Sequence, residues 1–87
     1  MSGGERINVK VLFFGAARDA AGASEISIDA PAPASVRTVK ETIFSTYKPL
    51  SQFAASLMVA VNEEYATDDT VVIDHDVVAF LPPVSGG

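Results

Sequence analysis

The sequence predicts an α+β domain in which one main helix packs across a mixed β-sheet, with an extended C-terminal tail beyond it. Three observations carry this reading. Apolar residues alternate at period two from Ile7 to Phe13 and crowd again into short runs near Val59 and Val78, which is strand patterning. A single segment, from Val36 to Tyr47, has apolar residues at helical spacing instead. The chain then ends Pro82-Pro83-Val84-Ser85-Gly86-Gly87, a sequence that neither sheet nor helix can absorb.

The order strand, strand, helix, strand, short strand, strand gives one helix for one sheet face. With 87 residues there is room for one small domain. Residues 1–6 read as a flexible N-terminal leader, 7–81 as the domain and 82–87 as the tail. A formal charge of −5 argues against nucleic acid, because phosphate contacts need clustered Lys or Arg, and favours a basic partner surface. No apolar run is long enough for a membrane span and no secretory signal is visible, so a cytosolic location is expected. Cysteine is absent, which excludes disulfides, thiolate nucleophiles and cysteine-based metal sites. If the chain carries sulfur or an acyl load, no side chain can hold it as a persulfide or thioester, and the Gly87 carboxylate is left.

The first strand, Ile7 to Phe14, places Ile7, Val9, Val11 and Phe13 on a core face. Its other face starts polar at Asn8 and Lys10 but ends apolar at Leu12 and Phe14, more than a solvated face needs. Gly15 to Gly22 lacks β-branched residues and reads as a loop with at most a single helical turn; the Gly-Lys-Ser/Thr of a phosphate cradle is missing from it. Glu25 to Asp29 alternates as a second strand able to form a hairpin with the first, with Ile26 and Ile28 toward the core. Pro31-Ala32-Pro33-Ala34 reads as a stiff connection outside any strand, and Ser35 as the N-cap of the helix. The capping-box spacing of Thr38 and Glu41 leaves open a start three residues later. Lys48-Pro49 ends the helix.

Leu50 to Ala55 is an unassigned connector, and Leu57 to Val61 is a buried strand. A turn at Asn62-Glu63-Glu64 leads to a short edge strand at Tyr65, and Val71 to Ile73 fits either a half-buried turn or a short strand. Asp74-His75-Asp76 has metal-ligand residue types, but three consecutive residues do not converge on one ion and no second cluster completes the shell, so a β-turn and no metal is the expectation. The last strand is Val77 to Leu81. If it lies beside the first strand, Val78 and Phe80 point inward and Ala79 and Leu81 join Leu12 and Phe14 outside, next to the root of the tail. Pro82 and Pro83 hold that tail extended, to roughly 20 Å over its six residues.

Taken together, Val11-Leu12-Phe13-Phe14, Ala17-Arg18-Asp19, Gly22, Val59-Ala60-Val61-Asn62 and the run from Asp74 to Gly87 resemble the small, sulfur-carrying subunit of molybdopterin synthase. The most specific part is Val78-Ala79-Phe80-Leu81-Pro82-Pro83-Val84-Ser85-Gly86-Gly87, since thiamine-pathway carriers and ubiquitin-type modifiers share the Gly-Gly but typically not the Pro-Pro-Val-Ser before it. Where that family usually has Asp-Gly-Asp, this chain has Asp74-His75-Asp76, which predicts a histidine at positive φ.

The resemblance implies a ubiquitin-like β-grasp fold and chemistry at Gly87. An adenylyltransferase/sulfurtransferase of the ubiquitin-activating type would use ATP to make a transient acyl-adenylate there, sulfur from a persulfide relay would displace AMP to give a thiocarboxylate, and the loaded tail would enter the large subunit of molybdopterin synthase. The acceptor implied is cyclic pyranopterin monophosphate and the assembly a heterotetramer. On this reading the chain binds no permanent cofactor, Val84 and Ser85 belong to the tail, Gly86 and Gly87 serve its passage and its chemistry, and Phe14 and Leu81, with Tyr65 beside them, lead the contact with the partner. A sulfur carrier for thiamine or tRNA thiolation, a ubiquitin-like modifier and an interaction module with an inert tail remain as alternatives.

Overall fold

A computed structural model describes residues 5–82. The leader expected over residues 1–6 and the tail positions Pro83, Val84, Ser85, Gly86 and Gly87 therefore fall wholly or largely outside the described residues; Arg6, counted in the leader, already pairs with Pro31. The elements run β1 (Arg6–Phe13), α1 (Gly15–Ala21), β2 (Glu25–Pro31), β3 (Ala34–Ser35), α2 (Val36–Thr46), a 3₁₀ helix (Lys48–Phe53), β4 (Met58–Val61), β5 (Glu64–Tyr65), β6 (Val71–Val72) and β7 (Val77–Leu81).

Five of the strands form one sheet in the order β2-β1-β7-β4-β5, and β3 pairs with β6 in a small second sheet. β1 and β2 form the antiparallel hairpin expected from their alternation. β7 lies in the middle, parallel to β1 and antiparallel to β4, so the first and last strands are neighbours as the outer-face argument required. Period-two alternation then sorts their side chains: Val9, Val11, Phe13, Val78 and Phe80 are at most 1% exposed, under α2.

The helix starts where Ser35 predicts. Ser35 Oγ accepts from the Thr38 backbone N–H while the Thr38 hydroxyl accepts from the Ser35 N–H, a reciprocal capping box that settles the start at Val36 and not three residues later. Val36, Val39 and Ile43 are fully buried, with Phe44 and Tyr47 packed at the edges of the stripe. Phe13 and Phe80 stack with centroids 5.9 Å apart, Tyr47 meets Phe13 edge-on at 5.9 Å, and Phe44 approaches Phe80 at 6.3 Å. The aromatic cluster locks α2 over the β1–β7 seam.

Four local expectations need correction. The segment from Gly15 to Gly22 is a seven-residue helix closed by Gly22 at φ +73°, whose N–H bonds the Arg18 carbonyl at 2.9 Å. Four alanines with Arg18 and Asp19 are better read as helix formers than as a loop lacking β-branched residues. Pro31 belongs to β2, which an edge strand tolerates because the missing N–H can face solvent, and Ala34 belongs to β3. The connector after Pro49 is a 3₁₀ helix around fully buried Leu50. The strand expected from Leu57 begins at Met58, which is 39% exposed: it lies opposite Leu81 on the outer face, so the buried strand expected here has an open first residue.

Candidate functional site

The outer face of the sheet is where the strand registers become consequential. Leu12 pairs with Ala79, Ala79 with Ala60, and Ala60 with Tyr65, so one row crosses four strands on the face away from α2. Two alanines in the middle and two large side chains at the ends make a floor with walls. The result is a shallow open concavity of about 530 Å³, walled by Leu12, Phe14 and Leu81 at one side and Tyr65 at the other. Phe14 is 45% and Tyr65 70% exposed, unusual for aromatic rings that take no part in the core. The structure thus brings Phe14, Tyr65 and Leu81 together on one surface, although Leu81 and Tyr65 stand on different strands and Phe14 stands just beyond the end of β1.

The polar rim is built by the β4–β5 turn. Asn62 and Glu63 connect Val61 to its partner Glu64 with φ of +51° and +73°, the two positive angles a two-residue hairpin of this hand requires. Asn62 also clamps the start of β7. Its N–H donates to the Val77 carbonyl at 2.8 Å, its side-chain oxygen accepts from the Val77 N–H at 3.1 Å, and its amide donates to Asp76 Oδ1 at 3.0 Å. The other Asp76 carboxylate oxygen accepts from the Ile73 N–H at 2.9 Å. Asp76 is only 9% exposed and both its oxygens are occupied. These two residues fix the entry of the strand whose far end carries the tail. Sequence reasoning read Asn62 as turn and Asp76 as turn; the missed signal is Asn at the first position of a two-residue hairpin, where its side chain is free to bond across strands.

Asp74-His75-Asp76 forms the expected turn, with His75 at φ +72°. Asp74 accepts from the Asn8 N–H at 2.7 Å and the His75 N–H donates to the Asn8 carbonyl at 2.7 Å, so the turn is stitched to β1. Asp74 accepts from the Asn8 N–H and faces His75 Nε2 at 3.2 Å, Asp76 accepts from the Ile73 N–H and the Asn62 amide, and among the described residues no three His, Cys, Asp or Glu side chains gather to hold a metal ion. No helix of the described residues is long and apolar enough to cross a membrane.

At the other end of β7 the strand stops at Leu81, where Pro82 removes the next donor, and Pro82 leaves beside the Phe14 wall of the concavity. The face with excess apolar surface and the root of the tail are one place.

Known proteins share this fold. The ThiS family model matches residues 11–87. A molybdopterin synthase sulfur carrier subunit from Caenorhabditis elegans is 36% identical over 83 residues, covering 93% of this chain and 99% of that one. Among solved structures, a putative molybdopterin converting factor subunit 1 from Pyrococcus furiosus superposes with a TM-score of 0.82 at 32% identity, over 90% of this chain and 99% of that one. A complex of subunits 1 and 2 of molybdopterin-converting factor from Helicobacter pylori contains a chain that superposes with a TM-score of 0.68 at 26% identity, over 93% of this chain and all of that one. Fold and extent of match agree, and the chain belongs to the ThiS family, with the ubiquitin-like β-grasp fold of the molybdopterin synthase sulfur carrier subunits.

Proposed function

We propose that this chain is the sulfur carrier of a molybdopterin synthase, loaded at the Gly87 carboxylate and docked on the large subunit through the concavity walled by Phe14, Leu81 and Tyr65. The observation that carries this reading is the bare apolar face at the root of the tail, in a chain whose family match runs through Gly87. The pairing of subunits 1 and 2 in the H. pylori complex supports a large-subunit partner, and two copies of each subunit would make the heterotetramer. The reading puts the protein in the cytosol.

The chemistry follows from what Gly87 is. A terminal carboxylate is ionised at neutral pH and resonance-stabilised, hence a poor electrophile. An adenylyltransferase of the ubiquitin-activating type corrects this: the carboxylate oxygen attacks the α-phosphate of ATP, pyrophosphate leaves, and the acyl carbon becomes reactive. A persulfide sulfur then attacks that carbon, AMP leaves with one carboxylate oxygen, and thiol cleavage of the acyl disulfide releases the thiocarboxylate. In the large subunit the thiocarboxylate sulfur attacks a carbon of cyclic pyranopterin monophosphate, water then cleaves the resulting thioester to return the Gly87 carboxylate and leave the sulfur on the pterin, and two loads complete one dithiolene. General acids, bases and pterin-binding groups belong to the partner. This chain contributes an acyl group bare of side chains over its last two residues, a tail stiffened by Pro82 and Pro83, and a surface that registers the tail against the partner.

Intact mass tests the reading. Incubation with the adenylyltransferase, ATP and a sulfur donor is expected to raise the mass by the exchange of one oxygen for sulfur, and the loaded protein with the large subunit and pyranopterin to yield molybdopterin. A shift only to larger conjugates would make the chain a modifier, no shift would leave an inert tail, and transfer to a thiazole or tRNA acceptor in place of pyranopterin would reassign the pathway.

A further inference from the structure

We infer that Gly15 is a positioning residue for the root of the tail: a corner without a side chain, against which the Pro82 ring seats, so that it sets where the chain leaves the sheet at Pro82. The pairing of β1 with β7 continues past the strand, the Phe14 N–H donating to the Phe80 carbonyl at 3.2 Å, so the next residues of the two strands run side by side. At Gly15 the chain turns away into α1 with φ +56°, while β7 ends at Leu81 and Pro82 follows it. A Cβ built on Gly15 would lie 2.9 Å from Pro82 Cγ, closer than side-chain carbons approach, and in ordinary contact with its Cδ at 3.6 Å. The corner cannot retreat. Ala17 and Arg18 donate to the Phe14 carbonyl at 3.0 and 3.4 Å, and Ala17 is fully buried.

Because the proline ring fixes its own φ, an obstacle that shifts the ring also swings the peptide that follows it. Gly22 is the internal control. It too has positive φ, +73°, but a Cβ there would meet nothing within 4 Å. Alanine at either position strains the backbone; only at Gly15 does it also push Pro82. The consequence for loading rests on the sulfur-carrier reading, whereas the geometric claim does not.

The test therefore reads tail direction and loading separately. The chain has no cysteine, so Ser85→Cys gives a single site for a nitroxide label, and paramagnetic broadening of backbone amides maps where the tail points. Gly15→Ala is expected to redistribute the broadening over the domain, Gly22→Ala to leave the parent pattern, and Gly15→Ala to have no additional effect once Pro82→Ala has removed Cγ and Cδ. Should Gly15→Ala prove unfolded, Gly15→Asn brings a Cβ with a residue that tolerates positive φ. In unlabelled protein, Gly15→Ala should lower kcat/KM for adenylation roughly 10- to 100-fold, as misplacement of a reacting group does, with Gly22→Ala near the parent value. An unchanged broadening pattern in Gly15→Ala, or the same change with and without the Pro82 ring, overturns the inference. Failure of the parent itself to load overturns the carrier reading, and the broadening data still decide this one.

Discussion

β1 and β7 present two apolar faces made by the same strands, and the two have different uses. On the inner face Val9, Val11, Phe13, Val78 and Phe80 are sealed under α2 and the aromatic cluster around Phe13. On the outer face Leu12, Ala79 and Leu81 alternate with them and are joined by Phe14 and Tyr65, all left partly or largely open. Apolar surface that no element covers adds nothing to the stability of the isolated chain. A sheet with one solvated face usually alternates apolar with polar, and in the proposed function the outer set serves contact with the large subunit. Stability and recognition are thus segregated by a single residue of strand register, and each can be perturbed without the other.

The largest effect should come from touching neither face. Deleting Gly87 is expected to abolish loading in the mass assay while the thermal midpoint stays where it was, since a chain terminus contributes little to the fold. A large drop in the midpoint would mean that the terminus is part of the packed domain. Phe80→Ala strikes the inner face and should cost about 3–5 kcal/mol, measured by urea denaturation, because a fully buried ring leaves a cavity under α2. That is a large share of the 5–15 kcal/mol typical of a small domain. On the outer face, Phe14→Asp with Leu81→Asp should weaken capture by the large subunit by about 2 kcal/mol or more, roughly 30-fold, and move stability by no more than about 0.5 kcal/mol. Equal affinity would remove the docking assignment; a collapse in stability would show that the outer face is core after all.

Asp76→Ala sharpens the comparison at its edge, where polar groups hold the strand that both faces share. Losing the carboxylate strands the Ile73 N–H and the Asn62 amide, with an expected cost of about 1–2 kcal/mol. If β7 is held from this end, hydrogen exchange at Val77 and Val78 should accelerate more than at residues of α2. No selective change there would leave Asp76 as an ordinary turn residue.

What could be read from the residues, and what could not, follows the range of the interaction involved. Strand periodicity is a local property, and it placed Val9, Phe13 and Phe80 on one side and Leu12 and Leu81 on the other before any coordinates. The positive φ of His75 was legible only through the resemblance, because the histidine stands where that family usually has glycine. By contrast, β3 and β6 have two residues each and no periodicity to detect; they exist because the sheet and α2 bring Ala34 opposite Val72. The helix α1 was hidden by its own composition, since alanine is a good helix former that also lacks the bulk that marks an amphipathic stripe. The contribution of Asp76 needs Asn62, fourteen residues away, and the obstacle at Gly15 needs Pro82, so neither could be inferred from its own neighbourhood.

The smallest expected effect lies away from both faces, where Lys40 on α2 meets Asp68 in the loop before β6. Lys40 Nζ donates to Asp68 Oδ1 at 2.9 Å, and this hydrogen bond, with the Lys40 charge and a lesser contribution from Arg37, holds the Asp68 carboxyl below its ordinary 3.8. A carboxyl with a lowered folded-state pKa binds protons more readily when unfolded, so the pair's contribution to stability is complete above the ordinary value and is lost as pH falls through the folded one. Lys40→Met should therefore lower the thermal midpoint slightly at pH 6 and converge with the parent once pH has fallen through the lowered folded-state value. Added salt at pH 6 should shrink the difference, because Asp68 is exposed and its interaction is screened. Because the pair touches neither face of the sheet, loading and large-subunit capture should be unchanged in Lys40→Met; a loss of either would place α2 in the docking surface and end the assignment of recognition to the outer face alone.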